Sequence, residues 1–255
     1  MTGITNPSAS GPLYARIVTY DTKVNAATYT PTDLKSGATD QGGVAMSITD
    51  TIGVSGTVLE TMTFCVSGAT IAKDCTGTLT APVLTLGETV GSIKALSVGA
   101  VSSGTINAHI STNATSGAII SLKSSTIGCG GLLRAGAASP AVGCGIKPAL
   151  ALDVIAGQSR FGVKTATATD SVDATATGVL QPVSGSNYNS TTYALNYTDG
   201  DTAGVTSTYG DKFLDTNGAP VNNKNMALTF AASIDNDTPA GAYSADLSMI
   251  ATGKF

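Results

Sequence analysis

Apolar and polar residues alternate along this chain with a period of two, in short runs closed by Gly, Asn, Asp or Pro. That is the pattern of half-buried β-strands. Leu13–Tyr20 is typical: Leu13, Ala15 and Ile17 fall on one face, and Tyr14, Arg16, Val18 and Tyr20 on the other. The same reading predicts strands at Val44–Thr49, Ile52–Glu60, Met62–Ser67, Pro82–Leu86, Ile93–Val98, Thr105–Thr112 and Ala118–Lys123. In the second half it predicts Ala149–Ile155, Ser159–Lys164, Thr192–Tyr197, Met226–Ser233 and Ala242–Thr252. One helical turn is expected at Pro31–Ser36, capped by Thr30, and no longer stretch has convincing helical periodicity. Residues 165–190 and 199–224 read as long surface loops. The first opens on a low-complexity Thr/Ala/Asp tract, Thr165–Gly178; the second carries the turn pairs Asp199-Gly200 and Asn217-Gly218. About a dozen short strands with little helix predict an all-β fold, an antiparallel β-sandwich of jelly-roll or immunoglobulin-like form. It is expected as a single elongated domain over residues 1–255, with 1–12 an extended N-terminal segment.

Composition sharpens this picture. Of the 255 residues 42% are hydrophobic but only 5% aromatic, and none is Trp, so the core is expected to be mostly Val, Ile, Leu and Ala. A chain of this length buries enough surface to fold unaided. Charged residues make up 12%, against roughly 25% in ordinary soluble domains. Net charge is −4, and the three arginines, Arg16, Arg134 and Arg160, lie far apart in sequence. No cluster of positive charge exists to displace counterions from nucleic acid or to hold an anionic membrane surface. No apolar run approaches the roughly 18 residues of a membrane-spanning helix; the most apolar stretch, Pro148–Gly157, contains Asp153.

Cys65 and Cys75 stand close in sequence, as do Cys129 and Cys144, each among turn residues. Four cysteines allow three pairings, and the local one, Cys65–Cys75 with Cys129–Cys144, is expected. Structural zinc favours closer Cys spacing than either pair offers, and His109 is the only imidazole. Free buried thiols are the other alternative. Disulfides imply an oxidising compartment. Met1–Pro12 has neither the basic nor the apolar region of a signal peptide. The expected form is therefore a mature secreted protein, extracellular or at the cell surface, after loss of its leader.

Few residues suit chemistry, and no enzymatic activity is expected. His109, in Ile106-Asn107-Ala108-His109-Ile110, falls opposite the apolar positions and is expected to face solvent. A general base needs partners within hydrogen-bond reach, and paired cysteines remove a Cys–His nucleophile. Neither a Gly-x-Ser-x-Gly elbow nor a Ser-x-x-Lys motif occurs. Most carboxylates are turn aspartates. Asp199 and Asp201, and the run Asp235-Asn236-Asp237, are candidates for weak calcium binding; no other cofactor is expected. Asn113, Asn189, Asn196 and Asn236 head Asn-x-Ser/Thr sequons.

The run Thr238-Pro239-Ala240-Gly241-Ala242-Tyr243-Ser244-Ala245-Asp246-Leu247-Ser248-Met249-Ile250-Ala251-Thr252 is similar to the "TPAGxYxxxLxxxAT" last strand of secreted bacterial β-sandwich proteins, the WxL-like and pilus-like surface proteins among them. Further pieces are Leu13-Tyr14-Ala15-Arg16, the run Val54-Ser55-Gly56-Thr57-Val58-Leu59-Glu60-Thr61-Met62-Thr63-Phe64-Cys65-Val66-Ser67-Gly68, and Ser111-Thr112-Asn113-Ala114-Thr115-Ser116-Gly117. In this order they resemble uncharacterised secreted β-sandwich cell-surface proteins of ultrasmall episymbiotic bacteria. The resemblance implies a structural surface protein and supplies no catalytic residues. The Trp-x-Leu motif itself is absent, which argues against cell-wall binding by that route.

Sheet edges are normally blunted by charge and proline. The last predicted strand and its tail, Ala242–Phe255, hold one Asp and one Lys. Tyr243, Ala245, Leu247, Met249 and Ala251 form one face; Ala242, Ser244, Asp246, Ser248 and Ile250 form the other. Such a strand completes its own sheet or is donated to a neighbour; Met1–Ser10 is the weaker donor. The expected function is that of a structural subunit of an extracellular filament, pilus-like fibre or surface layer, self-associating by strand-edge pairing or strand donation. The alternative is a monomeric secreted adhesin, a module that binds a carbohydrate or receptor on a host surface.

Overall fold

The computed structural model describes residues 9–28, 30, 37–50, 52–71, 74–124, 129–137, 144–166, 175–195 and 210–255. The expected helical turn at 31–36, most of the Thr/Ala/Asp tract and the Asp199-Gly200-Asp201 run lie outside them. The chain divides into two compact units, Met1–Val58 and Leu59–Phe255.

The first unit is an antiparallel hairpin of β1 (Gly11–Tyr20) and β2 (Ala38–Ile48). A short helix, α1 (Lys23–Ala27), lies between them, and Thr22 Oγ1 caps it by accepting from the Asn25 amide at 3.2 Å. The register pairs Leu13 with Met46, Ala15 with Val44 and Ile17 with Gly42. An apolar row therefore forms across one face, on the side that the alternation indicates. That row is not buried: Ile17, Val44 and Met46 are exposed, and so is Tyr14 on the other face. Residues 52–60, predicted as a strand, belong to no ladder among the described residues, and Ile52, Val54, Val58 and Leu59 are all exposed.

The second unit holds β3 (Met62–Ser67), β4 (Glu88–Val90), β5 (Ile93–Ala95), β6 (Ser102–Thr112), β7 (Ala118–Ser124), β8 (Leu133–Arg134) and β9 (Lys147–Pro148). It continues with β10 (Arg160–Thr165), β11 (Gln181–Pro182), β12 (Asp211–Asp215), β13 (Val221–Ser233), β14 (Tyr243–Ser244) and β15 (Leu247–Gly253). One sheet runs β3-β6-β13-β10-β9 and the other β11-β12-β7-β15. Their inner faces share one core. Ile106, Ala108 and Ile110 of β6 and Met226, Leu228 and Phe230 of β13 meet Ala118, Ile120 and Leu122 of β7 and Phe213 and Leu214 of β12. The expected all-β sandwich is thus present. Its main ladders are antiparallel, and the short β9–β10 pair is parallel.

Two short arches tie the layers. Residues 113–117 carry the chain from β6 to β7, and 216–220 carry it from β12 to β13. The second arch turns at the predicted Asn217-Gly218 pair, both residues at positive φ. Thr216, buried where the arches meet, accepts from the Ala118 amide at 2.8 Å and donates to the Ala219 carbonyl at 2.9 Å. Any side chain on Gly117 would strike this hydroxyl. Thr216→Val keeps the shape but leaves both groups without their bonds. It is expected to lower unfolding free energy by about 1–3 kcal/mol, measured by chemical denaturation.

Both predicted long loops carry structure. Leu180 and Tyr188 are core residues and β11 lies in 165–190; β12 and the start of β13 lie in 199–224. Strand β12 is short and flanked by charge, and a bulge between Lys212 and Leu214 sends both Phe213 and Leu214 into the core, which erases the period of two. Conversely, the predicted strand Ala149–Ile155 is a loop. Leu150 and Asp153 have positive φ, and Arg160 holds the Leu152 and Asp153 carbonyls. Residues 82–86 form no ladder, although Leu84 and Leu86 pack on the core.

Candidate assembly interface

Short arches place β6 over β7 and β13 over β12. Strand β3, beyond β6, and strand β15, beyond β7, therefore share one margin of the sandwich. The far margin ends in β9, Lys147-Pro148, and β11, Gln181-Pro182, two residues each and both with proline. Such ends cannot template another strand. Strand β15 differs. It has seven residues, Leu-Ser-Met-Ile-Ala-Thr-Gly, with no charge, no proline and a regular register against β7.

The predicted C-terminal strand is split. Tyr243 and Ser244 pair with β8, and β15 begins at Leu247. The predicted face survives the break: Tyr243, Ala245, Leu247, Met249 and Ala251 all pack against the core while remaining partly exposed. This segment pairs within its own chain, in its own sheet.

At the root of β3, Asn113 grips the approaching chain. Its Oδ1 accepts from the Thr61 amide at 2.7 Å, and its Nδ2 donates to the Leu59 carbonyl at 2.7 Å. The Asn113 amide and the Thr112 hydroxyl both donate to the Thr61 carbonyl. This sequon asparagine thus spends its side chain on backbone. Beside it lies a shallow, uncharged groove of about 310 Å³, where hydroxyls and amides of Thr61, Thr63, Ser111, Asn113 and Asn222 stand beside Pro220 and Val221.

His109 does not face solvent; it is fully buried. It stands in a row across the outer sheet face, between Cys65 of β3 and Asn225 of β13. The Cys65–Cys75 loop carries Ile71 over that row. Asn225 Nδ2 donates to the Ile71 carbonyl at 2.7 Å, so its Oδ1 accepts from His109 Nδ1–H at 2.8 Å. His109 Nε2 has no hydrogen-bond partner among the described residues. The imidazole is a strut beneath the disulfide loop, bonded to an amide.

Both expected disulfides form, Cys65–Cys75 and Cys129–Cys144. Cys129 and Cys144 are buried, and the Gly131 amide donates to Cys144 Sγ at 3.2 Å. Closing a loop of about 15 residues stabilises by about 3 kcal/mol in the chain-entropy model. Cys129→Ser/Cys144→Ser is expected to lose about that much, read from denaturant midpoints. No helix among the described residues is long and apolar enough to cross a membrane.

Among the described residues no three His, Cys, Asp or Glu side chains are grouped to hold a metal. Asp199 and Asp201 lie outside them. In the Asp235-Asn236-Asp237 turn, the Asp235 carboxylate accepts from the Thr238 hydroxyl at 2.6 Å and from the Asp237 amide at 3.2 Å. The Thr238 hydroxyl bond, chiefly, holds this carboxyl below the usual aspartate range. These bonds are turn chemistry. Comparison of the chain with protein-family models, curated proteins and solved structures finds no match.

Proposed function

We propose that this protein is a structural subunit of an extracellular filament, pilus-like fibre or surface layer, assembled by pairing of sheet edges between copies. One observation carries the reading: among the described residues β15 is an outermost strand of seven residues without charge or proline, on the margin opposite the two blunted ones. A strand like that presents a row of main-chain donors and acceptors to another chain. Because β15 is already paired with β7, it acts as an edge that receives a strand rather than as a strand given away. The two disulfides support a protein made for an oxidising compartment. The resemblance to secreted surface proteins of episymbiotic bacteria supports the same reading.

The test is sedimentation velocity with negative-stain microscopy of the purified chain and of Ile250→Lys/Thr252→Lys. Both residues lie on the outer face of β15, where lysine guards an edge without entering the core. Ordered polymers are expected from the wild type and monomers from the variant, with equal thermal unfolding of the second unit. A wild type that stays monomeric at every concentration contradicts the proposal, as does a variant that polymerises equally. The neutral groove at Thr61 and Asn222 supports a second reading, a glycan-binding surface module. Monomeric wild type with sugar-competed binding on a glycan array selects that reading.

A further inference from the structure

Resting on the assembly reading, we infer that residues 52–60 are the strand that occupies the β15 edge of a neighbouring copy. The segment has the sequence of a strand but no ladder among the described residues. Ile52, Val54, Gly56, Val58 and Glu60 fall on one side, and Gly53, Ser55, Thr57 and Leu59 on the other. Its apolar side lies open: Ile52 is 90% exposed, Val54 91% and Val58 85%. Alternation with one apolar side suits a strand that covers a core on one face and meets water on the other.

The acceptor matches this donor. Leu247, Met249 and Ala251 of β15 point to the core yet remain only partly covered, so the sandwich is incompletely closed at this margin. A strand added alongside would bring Ile52, Val54 and Val58 over that gap. Residues 52–60 span about 30 Å when extended, enough to cover the roughly 23 Å of β15. The only ionisable side chain in the donor is Glu60, and β15 has none, so no like charges oppose each other. The donor's root is also fixed, since Asn113 holds the Leu59 carbonyl and the Thr61 amide at the start of β3, on the same margin as β15.

Donor and acceptor are different surfaces of one chain, so each copy gives one strand and receives one. Such a heterologous contact propagates as an open chain of subunits unless its rotation closes a ring. The partner at this edge is therefore a second copy, joined head to tail.

Two measurements test it. In the full chain, Val54→Lys/Val58→Lys alters only exposed side chains. Polymers are expected to vanish while the thermal unfolding of the second unit stays put. A fluorescein-labelled peptide of residues 52–60 is then titrated by anisotropy. It is expected to bind the Val54→Lys/Val58→Lys chain, which lacks a competent donor strand, and to bind Ile250→Lys/Thr252→Lys at least tenfold more weakly. Undiminished polymers from Val54→Lys/Val58→Lys, beside blocked polymers from Ile250→Lys/Thr252→Lys, overturn the donor assignment and leave edge assembly standing. Monomeric wild type that still binds the peptide at β15 overturns the inter-copy contact, and a peptide that binds neither variant overturns the pairing itself.

Discussion

Phe213→Ala is expected to lower the unfolding free energy of the sandwich by about 3–5 kcal/mol, the usual cost of truncating a fully buried phenylalanine. The ring sits at the centre of the core on β12. Tyr188 meets it edge-on, with centroids 4.7 Å apart and an interplanar angle of 82°. Nothing nearby collapses easily into the space: Leu214, Ile120 and Leu122 are themselves buried in ladders. Guanidinium melts of wild type and variant measure the difference. A loss under about 1 kcal/mol would mean that β12 does not pack as described, since surface substitutions seldom exceed half that.

Asn225→Leu is expected to be nearly as damaging, for a different reason. It leaves His109 Nδ1–H and the Ile71 carbonyl buried without partners, at about 1–3 kcal/mol for each group. It also releases the Cys65–Cys75 loop from the sheet. Removing both side chains is less harmful than removing one, so adding His109→Leu to Asn225→Leu is expected to recover part of the loss. A double-mutant cycle by denaturation checks this; strictly additive effects would show that the two residues do not form a unit.

These two residues also mark where reading the sequence stops working. Alternation placed His109 correctly on the face away from Ile106, Ala108 and Ile110. Periodicity separates two sides of a strand but does not say which side meets water. Here the outer face is covered by Ile71 and, further along, by the small cluster of Ala149, Val154 and Ala231. Phe213 was hidden for another reason, a strand too short and too charged to alternate, with a bulge in it. Strands that keep a regular period over several residues, β1, β3, β6, β7 and β10, were legible almost to their ends, whereas β13 was legible only from Met226 on. The disulfides were legible too, because their partners are neighbours in sequence and the loops between them are turn-rich. The last strand yielded its apolar face but not its break at residues 245–246.

The segment 52–60 is the informative failure. Its residues satisfy every local condition for a strand, yet the chain offers it no partner among the described residues. Local pattern reports fitness for a sheet; only the fold reports whether the sheet is there. The same logic separates the exposed row of Ala15, Ile17, Val44 and Met46 from the matching rows inside the sandwich.

Hydrogen–deuterium exchange on assembled and monomeric protein probes the edge directly. Amides of Leu247–Gly253 are predicted to exchange far more slowly in the polymer than in the monomer, while those beside Lys147-Pro148 and Gln181-Pro182 keep their rates. Polymers in which β15 exchanges as fast as in the monomer would contradict assembly through this strand.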